Sequence, residues 1–213
     1  MLAVWSPWNS LNVSLLKLLG LEQADAYSGL QVYSIGGELE VSIDDEVIGN
    51  VTVEGSPLEI FEIEPGEHLI EIKRVSEGVG DGYYYKFSRM TNFIAGINTV
   101  IAYEIGPTEE FSGGYVIYAM PGITENQTSL NIRTIPSDSS IFINDLEIAK
   151  TPINNYTLDL QDTYKLRIEN TSTESIEFNL LPESVEERQS LKGYDLNVEA
   201  QLFQLPIEIR KEG

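Results

Sequence analysis

Apolar and polar residues alternate with a period of two along most of this chain. The segments "LQVYSI" from Leu30, "LEVSI" from Leu39, "LEIFEI" from Leu58 and "HLIEI" from His68 all follow it. So do "LNIRTI" from Leu130, "IFI" from Ile141 and "YKLRI" from Tyr164. Such alternation puts one face of a strand in a core and the other in water. Helical periods are scarce. Residues 11–21, behind Ser10 as a cap, predict one short helix, and "PESVEERQSLKG" from Pro182 predicts another inside a hairpin connection. The pattern predicts an all-β protein.

The alternation occurs twice. At an offset of 100, Leu30 meets Leu130, Val32 meets Ile132, Val41 meets Ile141, Ile43 meets Ile143 and Asp45 meets Asp145. The register then slips: Ser56-Pro57-Leu58 matches Thr151-Pro152-Ile153, which puts a five-residue insertion near "VTVEG" of the first copy. Residues 68–72 match 164–168, and a late strand aligns 100–105 with 198–203. Duplication of one module is the economical cause. The layout expected is two tandem small β-sandwich modules with a short N-terminal extension: residues 1–28, a first module 29–120, a linker 121–128 and a second module 129–213. Each copy of the repeat has roughly 80 residues, a size at which one core leaves little net stability. Two separate cores, a small polar interface and earlier melting of the second module are expected from this layout.

Within each copy the motif residues have turn chemistry. Asp44-Asp45 and Asn144-Asp145 sit between short strands, where they tolerate left-handed backbone and close tight hairpins. Asp45 and Asp145 are expected to cap those turns. Pro57 and Pro152 would fix the start of the next strand, and Pro65-Gly66 is a turn pair entering a strand. A calcium loop at Asp44-Asp45-Glu46 lacks the alternating ligand spacing that such loops need. In "DGYYYKFSRM" from Asp81, Tyr83, Tyr85 and Phe87 are expected in the core, with Tyr84 exposed as a surface contact.

These residues and their order resemble the PEGA domain. The second copy has Pro136-Ser137-Asp138-Ser139 at the first turn, Asn144-Asp145 at the hairpin and Lys150-Thr151-Pro152 after it. The first copy has Gly36-Gly37-Glu38, Asp44-Asp45, Gly49, Ser56-Pro57 and Pro65-Gly66. The second copy lacks the Pro-Gly pair and the first copy lacks the first proline. The resemblance covers about two thirds of the chain. It implies small β-sandwich modules of bacterial and archaeal envelope proteins, often tandem and often beside a membrane anchor. The resemblance carries over no catalytic residue.

Composition narrows the classes further. The chain has 213 residues, 42% of them hydrophobic, which supports a packed core. Asp and Glu number 34 against 13 Lys and Arg, a formal charge of -21. That surplus opposes binding to nucleic acid and to anionic lipid. There is no cysteine, which excludes disulfides and thiolate chemistry, and the single histidine, His68, excludes His-paired metal sites. No apolar run approaches the ~20 residues of a membrane span. Trp5 and Trp8 at the start of the chain suggest a membrane boundary, and an anchor or signal upstream of Met1 is expected on that reading; packing of both indoles on the first module is the other. Asn12, Asn50, Asn126, Asn155 and Asn170 each begin an Asn-x-Ser/Thr triplet, which would mark surface loops if glycosylated.

No Gly-rich phosphate loop and no Gly-x-Ser-x-Gly elbow occurs. Carboxylate pairs such as Glu109-Glu110 and Glu186-Glu187 lie in polar loops, where solvated charge explains them. The expectation is a non-catalytic, cofactor-free, extracytoplasmic scaffold or protein-interaction module of surface-layer type, anchored at the cell envelope. A carbohydrate- or cell-wall-binding module using exposed aromatics is the alternative, and an enzyme the third reading.

Overall fold

The computed structural model describes residues 27–75 and 83–204. The expected helix over 11–21 and the tryptophan pair lie outside those residues. The described chain is strand-dominated, as the alternation predicts. The first repeat holds β1 (Ser28–Gly36), β2 (Glu38–Ile43), β3 (Glu46–Thr52), β4 (Leu58–Ile63), β5 (Gly66–Val75), β6 (Phe87–Phe93), β7 (Asn98–Glu104) and β8 (Gly113–Pro121). The second holds β9 (Thr128–Ile135), β10 (Ser140–Ile143), β11 (Leu146–Lys150), β12 (Ile153–Leu158), β13 (Lys165–Glu169), β14 (Ile176–Asn179) and β15 (Tyr194–Gln201). One short helix, α1 (Val185–Gln189), lies in the connection where a helix is predicted from Pro182.

Each repeat builds a four-stranded sheet of its own, β3-β2-β5-β6 in the first and β11-β10-β13-β14 in the second. The remaining strands form one seven-stranded sheet, ordered β12-β9-β15-β8-β7-β1-β4. Strand β8 lies in its middle, antiparallel to β7 on one side and to β15 on the other. Outward from β8 the order is the same in both directions, with β1 parallel to β7 and β9 parallel to β15. A half-turn about the β8 axis therefore exchanges the repeats. A strand maps onto itself under that operation when it advances by one residue, because successive side chains point to opposite faces.

The two small sheets cover opposite faces of the shared sheet, and side-chain alternation shows how. Ile101, Tyr103 and Val116 pack with Leu39, Val41, Ile70 and Ile72 of the first repeat. Their immediate neighbours Val100, Ala102, Tyr115 and Ile117 pack with Ile141, Leu166 and Phe178 of the second. Strands β7 and β8 are thus apolar on both faces, which explains the run "TVIAY" at 99–103.

Two expectations are corrected here. The small polar interface is replaced by eight ladder pairs between β8 and β15, Tyr194↔Pro121 through Gln201↔Gly114, and by first-repeat residues inside the second core. The late-strand alignment is also off by one. Leu30 and Val32 pair with Thr99 and Ile101, while Leu130 and Ile132 pair with Leu196 and Val198. Ile101, not Val100, is the counterpart of Val198. A slip of one residue moves every side chain to the other face, and a strand apolar on both faces hides that slip from a sequence alignment.

Candidate functional site

The two hairpins close as their sequences predict. Asp44, Asp45, Asn144 and Asp145 all have positive φ, between 49° and 67°, in two-residue loops joining Ile43↔Glu46 and Ile143↔Leu146. Two consecutive positive φ values define the type I′ turn. The hydrogen bonds to the neighbouring strand come from the first residue of each pair, not from Asp45 or Asp145, although exposed Asp145 lies 4.0 Å from Arg167 of β13. Asp44 Oδ1 accepts the Leu69 N–H at 2.8 Å, and Asp44 Oδ2 lies 2.6 Å from His68 Nδ1. Asn144 Oδ1 accepts the Lys165 N–H at 2.9 Å, and its Nδ2 donates to the Thr163 carbonyl at 3.0 Å. The first residue of such a turn lies beside the adjacent strand, within reach of its backbone. With both Asp44 oxygens engaged, the loop is a backbone lock.

The other motif residues also serve the backbone. Gly49 and Ala149 oppose Val41 and Ile141 at matching bulges, and Ile48 and Ile148 are the extra residues. Leu58 covers Gly49, and a Cβ there would come within 3.0 Å of it. Pro57 and Pro152 immediately precede or lead into the outer strands β4 and β12, and Pro65 precedes Gly66, whose φ of 138° no L side chain adopts easily. Buried Thr151 accepts the Ser139 N–H at 3.1 Å and meets Thr134 Oγ1 at 2.6 Å, while Thr134 and Ser139 both reach the Pro136 carbonyl. These residues fall into separate groups within each repeat and do not converge on one site. Tyr83, at 58% exposure, is the open ring. Tyr84 is half-buried with Arg74 5.1 Å from its centroid, because the chain reaches β6 through a turn and enters strand geometry only at Phe87.

What does converge is a cleft of about 480 Å³ where β6 overhangs the second repeat's half of the shared sheet. Glu199 and Gln201 alternate with Val198 and Ala200 on β15, so they face away from the second core and floor the cleft. Arg89 on β6 bridges the repeats, with Nη1 2.5 Å from Glu199 Oε2. Tyr118 donates to the other oxygen of Glu199 at 2.7 Å and lies under the Arg89 guanidinium, 4.7 Å from centroid to Cζ. The Arg89 hydrogen bond, against the opposing effect of burial, holds the Glu199 carboxyl below its ordinary range. Burial is the largest influence on Arg89 and opposes its charge, but the Glu199 bond and charge together with Tyr118 outweigh it and raise the guanidinium. Tyr85 and Tyr103 are pushed up by burial first, and by the nearby Glu109 carboxylate among lesser causes.

Side chains in the cleft divide into spent and unspent groups. Gln201 donates to the carbonyls of Glu109 and Ser112 and accepts from Tyr103, so it knits the wall. Arg133, Tyr85 and Glu109 carry no side-chain hydrogen bond or ion pair among the described residues, and Ile135 beside them is 62% exposed. Glu109 and Glu199 both line the cleft, and Glu199 is already engaged by Arg89 and Tyr118. Sequence reading missed Arg89, Arg133 and Glu199. Glu199 did carry a signal, as an acid at an inner position of a strand that pairs on both sides.

No family model, curated protein or solved structure matches the chain.

Proposed function

We propose that the chain is a non-catalytic, extracytoplasmic scaffold or protein-interaction module of the cell envelope, built from two diverged PEGA-like β-sandwich repeats. The observation that carries this reading is where the motif chemistry is spent. Asp44, Asn144, Thr134 and Thr151 each bond the backbone of their own repeat, and what they leave goes to side chains of that same repeat. The repeated residues thus maintain a frame. The edges of that frame offer contact surface. Strand β3 bounds the first small sheet and leaves Val47 56% exposed, while β11 bounds the second and leaves Leu146 70% exposed. An open edge strand with apolar side chains supports pairing with a partner strand. An anchor upstream of Met1 belongs to the same reading.

The test is cross-linking in cells that carry the native gene, followed by fractionation. Recovery with envelope membranes, cross-linked through a photoreactive residue at position 47 or 146, is expected. Recovery only in the cytosolic fraction, without cross-links, overturns the proposal. A second reading, a carbohydrate- or cell-wall-binding module, is favoured by one observation, the inter-repeat cleft with its unspent polar groups and partly open aromatic ring.

A further inference from the structure

We propose that the inter-repeat cleft is a subsite for one or two pyranose rings of a neutral glycan. The proposal rests on the second reading above and assigns it a place and a ligand class. Size is the first argument. About 480 Å³ falls within the range of small-molecule sites.

The second argument is what the floor can offer. Strand β15 is paired on both sides, to β8 and β9, so its backbone groups are engaged in ladders. A ligand on this floor meets side chains, not a free strand edge. The unspent groups are a guanidinium at Arg133, a carboxylate at Glu109 and a phenol at Tyr85. Guanidinium and carboxylate are planar and two-pronged, one all donor and one all acceptor. Adjacent hydroxyls of a sugar ring each donate and accept, so they satisfy either prong. The Tyr85 ring and exposed Ile135 supply the apolar surface that the C–H face of a pyranose needs.

Charge decides against an acidic ligand. Arg89 and Arg133 are balanced by Glu109 and Glu199, so the cleft is neutral, while the whole chain carries -21. A polyanion would gain nothing from the cleft and would be repelled by the rest of the surface. Arg89, locked to Glu199, sets the cleft wall, whereas Arg133 is free to turn to a ligand.

The experiment is a nuclear magnetic resonance titration of the full chain with cello-, malto- and chito-oligosaccharides, and in parallel with oligogalacturonate. A neutral oligosaccharide should shift amides of β6, β9 and β15. Arg133→Ala and Glu109→Ala should each weaken binding by about tenfold or more. Both residues are exposed, so their amide spectra away from the cleft should match wild type. Binding that both variants leave unchanged overturns the cleft assignment and leaves the carbohydrate reading standing. Preference for oligogalacturonate overturns the neutral-glycan class. No shift with any of these sugars at millimolar concentration removes both.

Discussion

The two repeats hold their first hairpin with the same backbone bonds and different side chains. Asp44 and Asn144 each exchange an N–H and a side-chain oxygen with the adjacent strand, at Leu69 and Lys165. The first repeat completes the lock with a carboxylate and His68; the second completes it with a carboxamide and the Thr163 carbonyl. Elsewhere they differ more. The first repeat ends in β7 and β8, which the second repeat uses as part of its own core; the second has no equivalent of β8 and ends on it. What the difference teaches is that duplication kept the local turn geometry and reassigned the closing hairpin. One extra strand serves both copies, which makes neither complete alone.

The largest effect should come from separating the copies. A chain ending at Pro121 loses the partner of β8 and bares Val100, Ala102, Tyr115, Ile117 and Ala119, all of them buried in the second repeat's core. An open edge beside an apolar face favours aggregation. We expect that fragment to be unfolded or insoluble, and the full chain to melt in one calorimetric transition. A folded, monomeric fragment, or two resolved transitions in the full chain, would restore independence of the repeats.

Next in size are the large core rings. Phe178 is fully buried and stacks on Tyr115 with centroids 4.1 Å apart, so it contacts the first repeat's β8 from the second repeat. Phe93 is equally buried within the first repeat. Either ring cut to alanine should cost about 3–5 kcal/mol. With one cooperative unit, both variants lower the same midpoint in urea unfolding. A second transition appearing in Phe178→Ala alone would separate the cores.

How far the sequence reveals this follows from which strands alternate in polarity, even where, as in β1, both faces are buried and Gln31 and Tyr33 are covered. The repeat, the hairpins and strands β1, β2, β5, β9, β10 and β13 are legible because one face is apolar and the other is not. The shared sheet is not legible, because "TVIAY" is buried on both sides and carries no phase. The cleft is not legible either, since Arg89, Arg133 and Glu199 come together only through that sheet. The helix in the connection from Pro182 is legible, but what fastens it is not. Arg188 is 3% exposed and donates to the carbonyls of Leu160, Gln161, Pro182 and Glu183, fastening α1 to the second repeat.

That fastening gives a third test of the asymmetry. Arg188→Ala strands several buried carbonyls, and hydrogen bonds to a charged donor contribute about 1.5–3 kcal/mol. A loss of that size in urea unfolding is expected, with Arg188→Lys recovering part of it. A loss under about 0.5 kcal/mol, the level of an ordinary surface change, would show that the connection is held otherwise.

The smallest effect, and the one that sets the repeats apart most directly, is pH dependence of the hairpin lock. Asp44 is held below its ordinary 3.8, by the Leu69 N–H first and His68 second. His68 is raised above 6.5, by its hydrogen bond to Asp44 first and opposed by burial. A lowered carboxylate contributes stability above its unfolded value and loses it as pH falls through the folded one. A raised histidine contributes below its unfolded value and loses it as pH rises through the folded one. Both contributions are complete between 3.8 and 6.5, the two ordinary values. Asp44→Asn converts the first lock to the chemistry of the second and keeps an oxygen for Leu69. Its thermal midpoint should fall below wild type most within that window; the gap should close as pH falls through the Asp44 value and narrow, without closing, as pH rises through the His68 value, because the carboxylate still accepts the Leu69 N–H. In the second repeat Asn144→Asp sets a carboxylate against the Thr163 carbonyl, and Tyr164 stands where His68 does, so no cation compensates. That variant should be destabilised most at neutral pH and recover as the carboxyl protonates. A constant Asp44→Asn gap from pH 3 to pH 8 would mean that the charge on the first lock contributes nothing, and that the two hairpins are held by their backbone bonds alone.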